Sequence, residues 1–284
     1  MRRVSRWILC LVSATACAAP APSAVPRPAI VPPTTVPIDP STPPWTIEPS
    51  AGPVTWTIRL ATELRSRVDT VEQLDSIRTV VTAEWSRVVG DGTVRLSGLL
   101  TEFRLGVDIA GLETPRGLSL PLPFAALVGT ESDAPRLIRP DPAGCGLESA
   151  AAHALRELFL TLPKRLEPTT TWRDSATYTI CRDSVPLSAV STRHYRVVGA
   201  ARLAGELVIQ VERRSHLTLR GAGRQFDEPI DISAEGEGVA TLFVRVAGGM
   251  VFEGMGESTL RMTMRGRRRS QELTQHTRIA VSAP

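Results

Sequence analysis

The side chains best suited to acid–base or nucleophilic chemistry are scattered along this sequence. Four histidines stand apart from one another: His153, His194, His216 and His276. Carboxylates that could pair as acid and base are also dispersed, at Asp174, Asp183, Asp227 and Glu228. Catalysis needs such groups within hydrogen-bond reach of each other. Since the chain has no nucleophile-elbow, P-loop, S-x-x-K or dinucleotide-binding motif, we predict no catalytic residues and no enzyme activity.

Two cysteines are the next candidates for chemistry. Cys145 and Cys181 are the only pair in the part of the chain predicted to fold. In an exported domain such a pair is most simply a disulfide, and closing a loop of about 36 residues would stabilise the fold by roughly 3–4 kcal/mol. A metal site is the alternative, but it needs further ligands, and no CxxC, HxH or HExxH pattern is present. We therefore expect a disulfide, no metal and no cofactor.

The N-terminus has the three-part layout of a secretory signal peptide. Residues 1–16 begin with arginines, continue with an apolar stretch from Trp7 to Val12, and end in small residues. This stretch is too short to be a permanent membrane span. We therefore predict export and removal of residues 1–16.

The end of the leader predicts a lipid anchor. The sequence ATAC, which ends at Cys17, resembles the lipobox of bacterial lipoproteins, in which the cysteine is acylated and becomes the mature N-terminus. The resemblance implies a membrane-anchored protein on the periplasmic or outer side of the cell envelope. It departs from the usual pattern at Ala14, where the family favours leucine. Ordinary signal peptidase cleavage at Ala14-Thr15-Ala16 or Ala16-Cys17-Ala18 is the alternative, and would give a soluble secreted protein.

A proline-rich spacer is predicted over residues 17–53. Twelve of the 23 prolines lie between Ala18 and Pro53, among small residues with almost no charge. Proline favours extended polyproline II geometry over helix or sheet, so this stretch would hold the domain away from its anchor. Trp45 is the one aromatic side chain in the spacer. We expect it to dock on the folded domain, because a lone indole gains little in solvent.

The rest of the chain, residues 54–284, is long enough for one large all-β domain or two small ones, and we predict one β-rich domain of roughly 230 residues. The sequence pI of about 9.2 invites a nucleic-acid interpretation. However, four arginines lie in the leader and spacer, and the 29 basic residues that remain face 27 acidic ones. Aromatic residues make up only 5% of the chain. Because nucleic-acid binders need a basic face or interleaved aromatics, we predict no nucleic-acid partner.

One local run of arginines stands out in the sequence RGRRRS. It comprises Arg265, Arg267, Arg268 and Arg269. The simpler interpretation is a solvated turn between two strands. The alternative is a contact with an envelope protein or an anionic surface, such as lipid headgroups or envelope polyanions, where each arginine adds an attraction that salt weakens.

Period-two alternation of apolar and polar residues dominates residues 54–284. It recurs in stretches such as VTWTIRLATEL and ELVIQVERRSHLTLR, with breaks at GDG (90–92) and AGG (247–249). The pattern predicts a mainly β fold with long antiparallel strands joined by hairpins. We expect the sheet to curve into a half-barrel or open barrel. Glycine clusters such as GMG (254–256) are interpreted as bulges or tight bends.

A single segment has helical periodicity. Between Cys145 and Pro163, apolar residues recur every three or four positions, and Pro163 stops the pattern. We predict an amphipathic helix over residues 146–162, packed on the concave face of the sheet. The side chains expected to line a ligand groove between helix and sheet are Leu155, Leu158, Phe159 and Leu162.

The lipobox-like leader, long alternating strands and single apolar helix together resemble the lipoprotein-carrier half-barrel family (LolA-, LolB- and LppX-like proteins), over about Val54 to Val281. The chain also looks like the lipoproteins of high-GC bacteria, since 32 of its 33 basic residues are arginine. The carrier resemblance implies a half-barrel closed by helices, with acyl chains in its cavity. This chain departs from the family in having one evident helix. A similar order of strands before and after the helix fits a duplication, whereas the low residue identity between the two parts opposes it.

Two functions are open at this point. The first is a non-catalytic, membrane-anchored binding module that holds a lipid or other hydrophobic ligand between sheet and helix. The second is a structural or protein-interaction lipoprotein of the envelope, with a packed core and an outer face or edge that meets a partner.

Overall fold

The computed structural model describes eleven segments of the chain. They are residues 43–47, 54–68, 71–90, 93–109, 112–128, 136–139, 145–182, 185–225, 228–246, 248–267 and 270–282. These segments contain fifteen strands and one α-helix. The predictions for the leader, Cys17, the remaining spacer residues, Arg268, Arg269, Asp183 and Asp227 fall outside the described residues.

The elements follow one another along the described segments with the helix near the middle. The strands before it are β1 (Trp45–Thr46), β2 (Val54–Val68), β3 (Val71–Gly90), β4 (Thr93–Glu102), β5 (Arg104–Ile109), β6 (Leu112–Gly117), β7 (Leu122–Val128) and β8 (Arg136–Arg139). The helix α1 spans Leu147–Leu158. The strands after it are β9 (Arg165–Leu166), β10 (Thr171–Arg182), β11 (Val185–Leu203), β12 (Glu206–Gln225), β13 (Glu228–Arg245), β14 (Val251–Gly266) and β15 (Ser270–Ser282).

One eleven-stranded antiparallel sheet dominates the fold. Its strand order is β10-β11-β12-β13-β14-β15-β2-β3-β4-β7-β8, so the last strand pairs with an early one and joins the two halves of the chain. β5 pairs with β6, and β1 with β9, as separate two-stranded ribbons. A mainly β fold of long antiparallel strands is therefore confirmed. The hairpin breaks at 90–92 and 247–249 are confirmed too, since they connect β3 to β4 and β13 to β14.

The sheet is not closed by strand pairing among the described segments, since its order ends at β10 and at β8. The helix α1 contacts both of these end strands. The disulfide between Cys145 and Cys181 is present, with a Cα–Cα distance of 5.2 Å. Cys145 lies two positions before α1, and Cys181 lies at the C-terminal end of β10. The disulfide therefore fixes the start of the helix against that strand.

Two apolar clusters lie on the face of the sheet that packs with α1, which we call the inner face. The helix cluster joins α1 to inner-face residues of several strands and includes Leu155, Leu158, Phe124, Val197, Ile209 and Leu242. The distal cluster lies further along β11–β15 and consists of Val185, Leu187, Ala189, Leu219, Ile232, Ala234, Met262 and Leu273. The opposite face, which we call the outer face, carries the alternating exposed residues, as in the regular burial pattern of β11.

Trp45 docks on the domain as expected. Its side chain is 3% exposed and belongs to the helix cluster. The short strand β1 places it there by pairing Trp45 with Leu166 of β9.

The helix is shorter than the sequence predicts. It ends at Leu158, because Phe159 adopts extended backbone angles (φ −95°, ψ 130°). The next residues, Leu160 and Thr161, are buried as well. If the helix continued with only one face buried, some of these consecutive side chains would point to solvent, whereas an extended segment can bury them all. Pro163 further disfavours helical geometry at the residue before it. Within the described residues, no helix has the length and apolarity that a membrane span requires.

The glycines of β14 do not form the predicted bulges. Gly256 pairs in regular register with Ala240, and the ladder between β13 and β14 shifts only near Phe243 and Val244. A Cβ on Gly256 would lie 2.9 Å from the Ala240 Cβ, whereas opposed Cβ atoms are ordinarily about 4.5–5.5 Å apart. A side chain at position 256 would therefore crowd Ala240 across the ladder, which favours glycine there.

Candidate functional site

A band of polar and charged side chains crosses the inner face between the two apolar clusters. On β11 the inner-face residues alternate with exposed ones. Ala189 belongs to the distal cluster and Val197 to the helix cluster. The buried polar residues Ser191 and Arg193 lie between them on the same face. The strands and the helix thus enclose a polar band with apolar groups on both sides.

Arg193 and Asp174 form the most deeply buried ion pair of the band. The Arg193 Nε–Oδ1 distance is 2.7 Å, and Nη2 donates to Oδ2 at 2.9 Å. The Tyr195 hydroxyl donates to the same carboxylate at 3.0 Å. The Arg193 and Asp174 side chains are only 4% and 1% exposed. Burial alone would lower the pKa of Arg193, but Tyr195 and Asp174 outweigh it and raise that pKa above its ordinary value.

Arg213 and Glu157 form a second ion pair, which ties α1 to the sheet. The Arg213 Nη2–Oε2 distance is 2.8 Å, and Nη1 also reaches the Glu157 carbonyl oxygen at 3.5 Å. Burial acts to raise the pKa of Glu157, but Arg213 and Arg193 outweigh it and lower that pKa to about 2. A carboxyl group whose pKa is lower in the folded than in the unfolded chain stabilises the fold at pH values above its unfolded pKa. This stabilisation is lost as the pH falls through the folded pKa. This contribution is therefore complete at neutral pH and is lost between about pH 4.5 and pH 2.

Arg156 of α1 is the third arginine of the band, and no carboxylate is paired with it. Its guanidinium carbon lies 3.9 Å from the centre of the Tyr178 ring, and the residue is 6% exposed. Its guanidinium makes no hydrogen bond or ion pair with any side chain that the structure describes, while its backbone carbonyl accepts from the Phe159 N–H. Burial lowers the pKa of Arg156 and raises that of Tyr178 to about 12.

His153 lies one helical turn before Arg156 and faces the same tyrosine. Its ring is 5.9 Å from the Tyr178 ring, centre to centre. The Nδ1 atom is buried and has no hydrogen-bond partner among the described residues. Burial lowers the pKa of His153, opposed by Glu157, so the imidazole is neutral at neutral pH and one ring nitrogen carries a proton.

Among the side chains that the structure describes, the charges of the band do not balance. Three guanidinium groups face two carboxylates there, and both carboxylates are engaged, Asp174 by Arg193 and Glu157 by Arg213. A desolvated cation–π contact is worth about 2 kcal/mol, whereas removing an ion from water costs several kcal/mol. The Tyr178 contact therefore does not offset the burial of Arg156, and the cation is available to a further anion.

Apolar side chains beside the band keep part of their surface accessible. Leu217 of β12 and Leu260 of β14 are half-buried and pack against the distal cluster, while Ile279 of β15 is half-buried and packs against the helix cluster. Tyr178 also packs against the distal cluster. The inner face thus offers accessible apolar surface on the same side of the sheet as the unpaired cation.

The residues predicted to line a groove lie on the helix and just after it, and three of the four are buried. Leu155, Leu158 and Phe159 are 0%, 2% and 2% exposed and belong to the helix cluster. Phe159 packs against Phe124 at 6.2 Å between ring centres. Leu162 is partly buried against the same cluster. Leu155, Leu158 and Phe159 therefore meet protein atoms, whereas Leu162 keeps part of its surface accessible.

Three of the four histidines converge on the outer face. His194, His216 and His276 line one groove of about 860 Å³ that crosses β11–β15, together with Arg214 and Arg278. Thr259 Oγ1 lies 3.0 Å from His276 Nδ1, and His216 Nε2 lies 3.6 Å from Glu235. Within the described segments, no group of three or more His, Cys, Asp or Glu side chains could hold a metal ion.

The sequence contained a signal for the charged band that the strand analysis did not use. In TWRDSATYTI, Asp174 has the same parity as Trp172, Tyr178 and Ile180. Arg193 and Arg213 likewise fall on the apolar parity of β11 and β12. A charge at an inward position of three consecutive strands indicates a buried network.

Comparison with protein-family models, curated proteins and solved structures finds no match to this chain.

Proposed function

We propose that this protein is a non-catalytic, membrane-anchored lipoprotein of the cell envelope that binds a lipid or other hydrophobic ligand on the inner face, between the sheet and α1. One observation carries the proposal. Half-buried apolar side chains, Leu217, Leu260 and Ile279, lie on the inner face, next to a polar band with an unpaired buried cation. Ligand sites commonly combine apolar walls with a few convergent polar groups.

Two further features support a sheet that curves around the helix. α1 contacts β10 and β8, which are the opposite ends of the strand order. The short Cβ distance at Gly256 would follow if β13 and β14 converge on a concave inner face. Such curvature is what a half-barrel requires. The ligand would then lie along the half-buried side chains, with Leu155, Leu158, Phe159 and Leu162 as the packed wall behind it.

Native mass spectrometry of the full chain, purified from native membranes, tests ligand binding. We expect a fraction of the protein to carry an additional mass that organic extraction removes and that lipid analysis identifies as an amphiphile. A fluorescent fatty acid should then bind the extracted protein and be displaced by the extracted material. A homogeneous protein mass, together with no binding of the fluorescent fatty acid, would rule out the proposed ligand function.

The anchor is tested separately at Cys17. Replacing Cys17 with serine removes the thiol that acylation needs, so we expect the protein to move from the membrane fraction to the soluble fraction. Cys10→Ser is the matched control, because Cys10 lies inside the predicted leader and its loss should leave the protein membrane-bound. The disulfide is compatible with the export that this anchor implies. A Cys17→Ser protein that stays in the membrane fraction would contradict lipidation at this residue.

A second candidate function is a structural or protein-interaction lipoprotein without a ligand cavity. The full burial of Leu155 and Leu158 favours it, as does the outer groove, whose mixed arginine, histidine and glutamate lining suits a polar protein surface. The arginines of the β14–β15 hairpin, of which Arg265 and Arg267 are exposed, would add contacts to an anionic surface. Absence of any lipid, with retained binding to an envelope protein, would favour this candidate.

A further inference from the structure

We propose that the ligand of the inner face is an anionic amphiphile whose acidic head group pairs with Arg156. This inference rests on the proposed function and names the class of ligand. The amphiphile would place its carboxylate or phosphate at Arg156 and its hydrocarbon chain along the half-buried apolar side chains.

The position of Arg156 supports an anion rather than a neutral head group. It is 6% exposed, and its guanidinium carbon lies 3.9 Å from the centre of the Tyr178 ring. The ring accepts no conventional hydrogen bond, so the guanidinium N–H groups, which bond to no described side chain, can donate to an anion. Both carboxylates of the band are engaged by other arginines. An incoming oxyanion would balance the charges of the described side chains of the band.

His153 provides a second, independent observation. Its Nδ1 atom is buried without a hydrogen-bond partner in the described segments, and its ring faces Tyr178 as Arg156 does. A neutral imidazole protonated on Nδ1 donates one hydrogen bond. Buried polar atoms are ordinarily hydrogen-bonded, so in the Nδ1–H tautomer His153 is a donor without an acceptor, one helical turn from Arg156.

The surroundings of Tyr178 favour an amphiphile over a free inorganic anion. Tyr178 packs against the distal cluster, as do Leu217 and Leu260. Its hydroxyl interacts with Ser191, the cross-strand neighbour of Leu217. A ligand with its acidic end at Arg156 would therefore meet apolar surface within one or two strands, where a bare phosphate would leave that surface exposed to water.

The test compares a fluorescent polyene fatty acid with its methyl ester, which has the same chain and no charge. Both are titrated into the delipidated full chain carrying Cys17→Ser, so that no detergent is needed. We expect the acid to bind roughly 10- to 100-fold more tightly than the ester, the range for a hydrogen bond to a charged group in a buried site. Sodium phosphate at millimolar concentration should not displace the acid.

Variants assign the preference to one residue. Arg156→Gln should remove the difference in affinity between acid and ester while changing ester affinity by no more than about twofold. Arg156→Lys keeps the charge and should therefore keep most of that difference. Arg220→Gln is the matched control, since Arg220 is exposed on β12 and the change removes the same charge. Circular dichroism melting verifies that each variant is folded.

The outcomes separate this inference from the proposed function. Equal affinity of the parent for acid and ester would overturn the inference while the ligand function stands, and so would an unchanged preference in folded Arg156→Gln. Displacement by phosphate alone would assign the site to a free anion and overturn the amphiphile. Binding of neither probe would overturn the proposed function itself. The comparison of acid with ester in the parent needs no variant. It therefore decides whether the site prefers an anionic head group even if Arg156→Gln fails to fold.

Discussion

Replacing Asp174 with alanine is expected to lower the free energy of unfolding by roughly 3–5 kcal/mol. The change leaves the Arg193 guanidinium, 4% exposed, without the carboxylate that accepts from both its Nε and its Nη2. The Tyr195 hydroxyl loses its acceptor at the same time. A buried charge without a partner still bears the full desolvation cost. The loss of unfolding free energy therefore exceeds the net stabilisation that the broken hydrogen bonds provided. Urea unfolding followed by circular dichroism measures it.

The chain offers a matched control for this ion pair. Glu212 lies 2.7 Å from Arg196, the same distance as in the buried pair, but the two side chains are 41% and 59% exposed. Glu212→Ala should therefore change the free energy of unfolding by less than about 1 kcal/mol. Replacing both buried partners, as in Asp174→Leu with Arg193→Met, should recover much of the stability lost in Asp174→Ala. Equal effects of Asp174→Ala and Glu212→Ala would show that burial of the charge does not set the cost.

The fold was largely predictable because its signals are local. Period-two alternation with glycine-rich breaks defines the strands and hairpins from β10 to β15 without knowledge of distant residues. The pairing of β15 with β2 was not predictable in this way, since it joins residues such as Leu273 and Val68 that are far apart in sequence. The same limit applies to the end of α1, where the packing of Phe159 and Leu160 in the core overrides a helical pattern that continues to Leu162.

The candidate site shows where a rule about single residues fails. The four histidines were considered as isolated side chains, yet three of them, His194, His216 and His276, share the outer face of the sheet. Their convergence in one groove depends on register: Thr259 stands opposite His276, and His216 opposite Glu237. Register is set by hairpin geometry and by the apolar face together. The inner band was missed for a different reason: the alternation was used only to place strands, and the charged residues at apolar positions, Asp174, Arg193 and Arg213, were not considered together.

Leu158→Ala is expected to lower the free energy of unfolding by roughly 3–5 kcal/mol, the upper part of the range for buried leucines. Leu158 is 2% exposed and lies in the last turn of α1, inside the helix cluster. The site has little freedom to collapse, because the disulfide and the Arg213–Glu157 ion pair hold α1 against the sheet. Truncation would therefore leave a cavity as well as lose apolar burial. The same change at Leu99, which is 40% exposed on β4, should cost less than about 1 kcal/mol.

The same variant decides whether the ligand touches the helix. If the hydrocarbon chain lies along Leu217, Leu260 and Ile279, Leu158→Ala should lower stability by the full amount and leave the affinity for a fluorescent fatty acid within about twofold. If the chain lies against α1 instead, Leu158 already meets ligand rather than protein on one side. The stability loss should then be smaller, below about 2 kcal/mol, and fatty-acid affinity should fall. Stability by urea unfolding and affinity by fluorescence titration, measured on one preparation, separate the two positions, and a small stability loss with weakened binding would contradict the packed wall.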